Sequence, residues 1–388
     1  MRGLRSAVIA ASLGLGTAAL AGSGLDVAIG ERLFRRAWVP APASTRSNAG
    51  LGPLFNARSC AACHAGLERP LVSAGPDGRL ASEALVLRFG DAEGRPDPTY
   101  GRQLQPAAIP TVLPKAAGLR RAPDGAISTD APAYGPLAAG TLSGALLAPA
   151  LRGLGALASV PDESIAAGAS RAGGRVAWTE RDGVPRVGRF GFKAGEPTLH
   201  AQAERAFLLD LGLSTAGHPE PAGDCPPALA ACRAAPHGGG DDGIEIAAPM
   251  VDAIAAYLAT VPPPPPPPSD PAGENLFAAA GCASCHVPSL PGANGAVRAG
   301  TDLLLHDLGP ALAGAPEPGR SATEWRTAPL WGLGAALARG AGLLHDGRAT
   351  GVAEAVALHG GNGAAARAAF AGLPAEDRAR LVAYLESF

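Results

Sequence analysis

Hydrophobic positions along the chain fall into short helical stripes and not into long alternating runs. Val251, Ile254 and Leu258 share the three- and four-residue spacing of one helix face, and Leu381 and Leu385 repeat it near the C-terminus. An apolar run from Ala7 to about Ala21 follows Arg2 and Arg5, and it ends in Ala19-Leu20-Ala21. That order of charged, apolar and small residues is that of a secretory signal peptide, so residues 1–21 are predicted to be removed on export to a periplasm. Nothing shows the sustained alternation of a large sheet. Pro262 to Pro268 cannot be helix, and as a polyproline II segment at about 3.1 Å per residue it spans roughly 20 Å.

Internal repetition organises what remains. Gly30-Glu31-Arg32-Leu33-Phe34 recurs as Gly273-Glu274-Asn275-Leu276-Phe277, and Ala256-Tyr257-Leu258 recurs as Ala383-Tyr384-Leu385. Each pair brackets a Cys-x-x-Cys-His, so two copies of one unit run from an opening helix to a closing helix. The boundaries are 22–261 for the first unit, 262–270 for the proline-rich linker and 271–388 for the second.

Composition changes this picture little. Among 388 residues, 53 Gly and 38 Pro require much loop, and a net charge of −2 is too small to point to nucleic acid or to strong membrane-surface binding. No segment after residue 21 is apolar for long enough to span a membrane.

The cysteines carry the chemistry. Four of the six lie in Cys60-Ala61-Ala62-Cys63-His64 and Cys282-Ala283-Ser284-Cys285-His286, the pattern of c-type haem attachment. On a helix, residues i, i+3 and i+4 share a face, so both thiols can form thioethers with one haem edge while the histidine reaches the iron. Zinc is the competing use of such residues, and an exported chain with the motif duplicated favours haem. The expected fold is therefore mainly α, two cytochrome c-like helical domains with a long loop-rich insertion between Ala65 and Ala247 in the first. Cys225 and Cys232 are expected to form a small-loop disulfide. Met250 is the sole methionine after the export segment, so the second unit, which holds His306, His345 and His359, has no thioether to offer its iron.

Longer strings carry a resemblance. Thr301-Asp302-Leu303-Leu304-Leu305-His306-Asp307-Leu308-Gly309-Pro310, then Glu324-Trp325-Arg326-Thr327-Ala328-Pro329-Leu330-Trp331, then Leu344-His345-Asp346-Gly347-Arg348 resemble the di-haem oxidoreductases. Those proteins, once described as thiol oxidoreductases, are related to bacterial di-haem cytochrome c peroxidases. Asp97-Pro98-Thr99-Tyr100-Gly101-Arg102-Gln103-Leu104-Gln105 and Gly188-Arg189-Phe190-Gly191-Phe192-Lys193-Ala194 extend the resemblance into the first unit. It implies a C-terminal haem that passes electrons and an N-terminal haem that opens a site for hydrogen peroxide, with a small donor protein of cytochrome c or cupredoxin type. The interval after the His-Asp-Gly motif makes His359 the distal ligand opposite His286, with His306 and His345 beside the haem. Gln103 and Gln105 are the polar candidates above the iron on His64, and Trp325 and Trp331 are candidate relays. Ala158 stands where relatives often carry a glutamate, and Glu163 is the nearest acid. The alternative reading is a non-catalytic electron carrier with both irons six-coordinate.

Overall fold

A computed structural model describes residues 23–388 apart from positions 82, 123, 124 and 182, and the export segment read at 1–21 lies outside the described residues. The opening helix Gly24–Arg35 starts from a capping box in which Ser23 Oγ accepts from the Asp26 amide and the Asp26 carboxylate accepts from the Ser23 amide. It packs along the closing helix Ala248–Thr260. Only a glycine permits the approach: a Cβ on Gly30 would fall 1.9 Å from the Ala253 carbonyl oxygen and 2.9 Å from Tyr257 Cβ. One turn later Phe34 meets Tyr257, with ring centroids 5.6 Å apart.

The second unit repeats this contact. Helix Pro271–Ala279 lies on helix Ala375–Glu386, a Cβ on Gly273 would fall 2.7 Å from Tyr384 Cβ, and Phe277 meets Tyr384 at 5.8 Å. The recurring glycine, phenylalanine and tyrosine are thus three parts of one helix junction. A further repeat, which the sequence reading passed over, supplies a third helix to each unit. Leu151-Arg152-Gly153-Leu154-Gly155-Ala156 matches Leu330-Trp331-Gly332-Leu333-Gly334-Ala335. Gly153 and Gly332 both take the left-handed conformation, at φ 75°, to start helices Leu154–Ala158 and Leu333–Ala338. A Cβ on Gly155 would fall 2.0 Å from the Ala259 carbonyl oxygen, and one on Gly334 would fall 1.8 Å from that of Glu386. The proline run has no helix in it, and Pro263 and Pro264 pack against these two starting glycines.

The mainly α expectation is corrected by the intervening segment. Helix accounts for 32% of the structure and strand for 19%, and the described strands form seven two-stranded antiparallel sheets. Most of them lie between the first Cys-x-x-Cys-His and residue 247, where loop was expected. The longest pair joins Leu85–Gly90 to Leu142–Leu147, with Leu85 opposite Leu147 and Gly90 opposite Leu142. Leu85, Leu87 and Phe89 enter a core with Tyr100, Leu104 and Leu147, each fully buried side chain contributing roughly 1.5–3 kcal/mol. Strands of two to six residues between Gly and Pro are too short to give a sustained alternation. Cys225 and Cys232 are joined as a disulfide, which closes a smaller core with Leu54, Ile109 and Val112. No described helix is long and apolar enough to cross a membrane.

Candidate functional site

A cavity of about 540 Å³ reaches both Cys-x-x-Cys-His motifs. Cys60–Cys63 is a single helical turn, capped by Ser59 Oγ accepting from the Ala62 amide at 3.2 Å. Cys282–Ser284 is a tighter turn, entered through the left-handed Gly281. The next histidine is held in the same manner in both. His64 Nδ1 bonds the Pro149 carbonyl at 3.1 Å, and His286 Nδ1 bonds the Gly300 carbonyl at 2.8 Å. A carbonyl only accepts, so Nδ1 carries the proton and Nε2 keeps its lone pair for a metal. Burial lowers the pKa of His64. For His286, burial and the neighbouring His359 imidazole outweigh the Gly300 bond and bring it to about 4. Both rings are neutral, the form that ligates.

Three further histidines line the cavity, and their environments separate them. His359, two residues past the end of helix Val352–Ala357, bonds the Ala355 carbonyl through Nδ1 at 2.7 Å. That leaves its Nε2 free, as in His286, and burial keeps it neutral. His306 has both nitrogens engaged, Nε2 with Asp302 Oδ2 at 2.8 Å and Nδ1 with Cys285 Sγ at 3.6 Å. Burial opposes its charge, but the Asp302 and Cys285 bonds raise its pKa to about 9. His306 thus has both ring nitrogens occupied, unlike His359. His345 stacks on Trp325 at 3.9 Å between centroids, 13° from parallel, and burial lowers its pKa to about 4.

Both tryptophans line the cavity. Trp325 donates from Nε1 to the Leu312 carbonyl at 2.7 Å, and its other face carries Lys193 Nζ at 3.9 Å from the centroid. Lys193 itself donates to the carbonyls of Ser321 and Glu324. Trp331 lies over Gly153, where a Cβ would fall 2.6 Å from its ring. The indole of the second unit therefore covers the glycine that starts the third helix of the first.

Gln103 and Gln105 are not in the cavity, which corrects their expected position above the iron. Gln103 Nε2 donates to Asn56 Oδ1 at 2.6 Å, the Leu209 carbonyl at 2.9 Å and Asp210 Oδ1 at 2.8 Å. Gln105 Nε2 donates to the Leu209 carbonyl at 3.0 Å. Both are buried beside the Lys115–Asp224 ion pair at 2.9 Å, where they satisfy backbone and carboxylate groups. Glu163 is exposed. Acids do line the cavity: Glu196, Glu317 and Asp210, and of these Asp210 acts on the first motif. It sits in a π-helical turn, Phe207–Leu211, a local widening often found at functional sites. After burial, its charge is the next cause raising the pKa of Cys60, to about 12. Arg88 and Gln202 also line the cavity and were missed. A cation on a short strand and an amide on a helix leave no motif; a hydrophobic alternation across Leu85–Phe89 is the signal that could have placed Arg88 facing away from the core.

The donor set fits haem. Two dithiol turns, each followed by a neutral imidazole with a free Nε2, share one largely apolar cavity with a third free imidazole and with Arg88, whose Nε and Nη1 have no hydrogen-bond partner among the described residues. Thioether formation would use Cys60 with Cys63 and Cys282 with Cys285, all four of which are outside any disulfide. No match emerged among curated proteins. Among solved structures, the chain is similar to a diheme peroxidase of Burkholderia thailandensis, at 17% identity and a TM-score of 0.42, over 94% of this chain and 86% of that one. It is also similar to Kuenenia stuttgartiensis hydrazine synthase, at 11% identity and a TM-score of 0.34, over all of both chains. Neither TM-score establishes a shared fold. The family described as "Di-haem oxidoreductase, putative peroxidase" matches residues 176–388, more than half of the chain, including the second Cys-x-x-Cys-His and His359. The chain belongs to the di-haem oxidoreductase family.

Proposed function

We propose that this chain is a periplasmic, peroxidase-like enzyme with two covalently attached c-type haems, in which the C-terminal haem passes electrons to a reactive N-terminal haem. The observation that carries the reading is the unequal supply of imidazoles. His286 and His359 each present a free Nε2 with Nδ1 tied to a carbonyl. His64 presents one, and no second histidine or methionine of the first unit lines the cavity among the described residues. When bound, haem would supply a redox-active iron, able to react with a small oxidant where the protein gives it no second strong ligand.

The side chains divide the remaining work. The Pro149 carbonyl fixes the His64 tautomer, and the Gly300 and Ala355 carbonyls do the same for His286 and His359. Trp325 and Trp331 fill the wall shared by the two halves, and Asp210 offers a carboxylate for proton movement beside the first motif. The oxidant would be hydrogen peroxide, reduced to two waters by two electrons and two protons, with the electrons arriving singly from a small cytochrome c or cupredoxin-type donor.

One feature favours a non-catalytic carrier: Ala158 supplies no acid, and Gln103 and Gln105 lie outside the cavity. Adding stoichiometric peroxide to the one-electron-reduced protein separates the two. The peroxidase reading predicts a rapid shift of the His64 haem spectrum, slowed in Asp210→Asn. Spectra unchanged by peroxide in every redox state would leave the carrier.

A further inference from the structure

Arg88 lies in the strand Leu85–Gly90, opposite Gly144. Its neighbours Leu87 and Phe89 enter the apolar core, so strand alternation turns Val86 and Arg88 the other way, and both line the cavity. Arg88 Nε and Nη1 are buried and have no hydrogen-bond partner among the described residues. Several other guanidiniums of the cavity wall are engaged. Arg326 donates to the carbonyls of Gly191 and Thr327, Arg69 to those of Gly342 and Leu344, and Arg205 pairs with Glu196 and Glu317.

The carboxylates whose charge reaches Arg88 are those of Asp210, Glu317 and Asp224, and each is bonded elsewhere. Asp210 accepts from Gln103 at 2.8 Å, Glu317 from Arg205 at 3.0 Å, and Asp224 from Lys115 at 2.9 Å. Arg205, a like charge, opposes Arg88 across the same region. A guanidinium desolvated without donors satisfied is unfavourable, and it is offset by an anion that fits its planar array of N–H groups.

We infer that Arg88 binds a carboxylate of the cofactor held at His64, a haem propionate. This rests on the two-haem reading above. The propionates are the anionic groups of an otherwise apolar macrocycle, and another buried unpartnered side-chain atom of the cavity wall, Gln202 Oε1, is an acceptor and offers an anion nothing. A guanidinium held there also acts on the iron: its positive charge disfavours the ferric state and raises the midpoint potential.

The test is spectroelectrochemical titration of the mature holoprotein, Arg88→Gln and Arg88→Lys, with haem content read by intact mass. Arg88→Gln should lower the midpoint potential of the N-terminal haem and leave that of the C-terminal haem in place, while Arg88→Lys should retain most of the wild-type value. An unchanged N-terminal potential in Arg88→Gln with two haems attached overturns the inference, and so does an equal fall in both variants. A wild-type chain with no haem by mass would sink the cofactor reading itself, which is a separate outcome. Should Arg88→Gln fail to mature, the Lys variant and the wild type still decide through resonance Raman: the propionate bending mode of the first haem should move in Arg88→Lys, and a mode identical to wild type counts against the contact.

Discussion

At the scale of single residues, the second unit's histidines are told apart by what their ring nitrogens already do. His306 spends both on Asp302 and Cys285, and His345 lies flat on Trp325. His359 holds one nitrogen on its own helix and leaves the other free. Replacing His359 with Ala should convert the C-terminal haem from low to high spin and raise its potential, because an imidazole favours ferric iron more than an open or water-filled position does. His306→Ala should keep that haem low-spin. Optical and magnetic circular dichroism spectra of both variants check this, and a low-spin C-terminal haem in His359→Ala would remove His359 from the coordination sphere. His359 is singled out in the sequence by a fixed interval from His345-Asp346-Gly347, and its free Nε2 supports the same reading. Gln103 and Gln105 were misplaced because the motif containing them is used for burial around Asp224, and a buried amide and one facing a cavity look alike in sequence.

At the scale of elements, each unit depends on glycines that let helices touch. Gly30→Ala would drive a methyl into the Ala253 carbonyl, which can be relieved only by separating helices Gly24–Arg35 and Ala248–Thr260. Overpacking of this kind costs about 1–3 kcal/mol, and strain against backbone belongs at the upper end. Chemical denaturation of the holoprotein should show the loss, whereas Gly24→Ala, at a position with nothing within 4 Å of a Cβ, should show almost none. Equal stability of the two variants would mean that the helix contact is not as close as described. The opening and closing helices were readable from the repeated Gly-Glu-x-Leu-Phe and Ala-Tyr-Leu strings. The helices Leu154–Ala158 and Leu333–Ala338 were not, since five or six residues are too few for a helical period. The sheets of the intervening segment escaped for a related reason: Leu85–Phe89 alternates for only five residues, inside a stretch whose composition argues for loop.

At the scale of the molecule, two similar units have been made unequal. Both keep the glycine–tyrosine helix junction, the dithiol turn and the carbonyl-bound histidine that follows it. The second adds His359, while the first adds the strand-bearing segment that supplies Arg88, Gln202 and Asp210 to the shared cavity. Repetition in the sequence pointed to the two helix junctions that the structure shows, and the paired motifs pointed to haem, as does the family. The convergence of both motifs on one cavity was not accessible, because it depends on contacts between residues far apart in the chain, such as Trp331 over Gly153. Electron paramagnetic resonance of the fully oxidised protein tests that inequality most directly. The spectrum should hold one low-spin ferric signal from the haem between His286 and His359 and one high-spin signal from the haem on His64, each integrating to one iron per chain. Two low-spin signals and no high-spin component would contradict it.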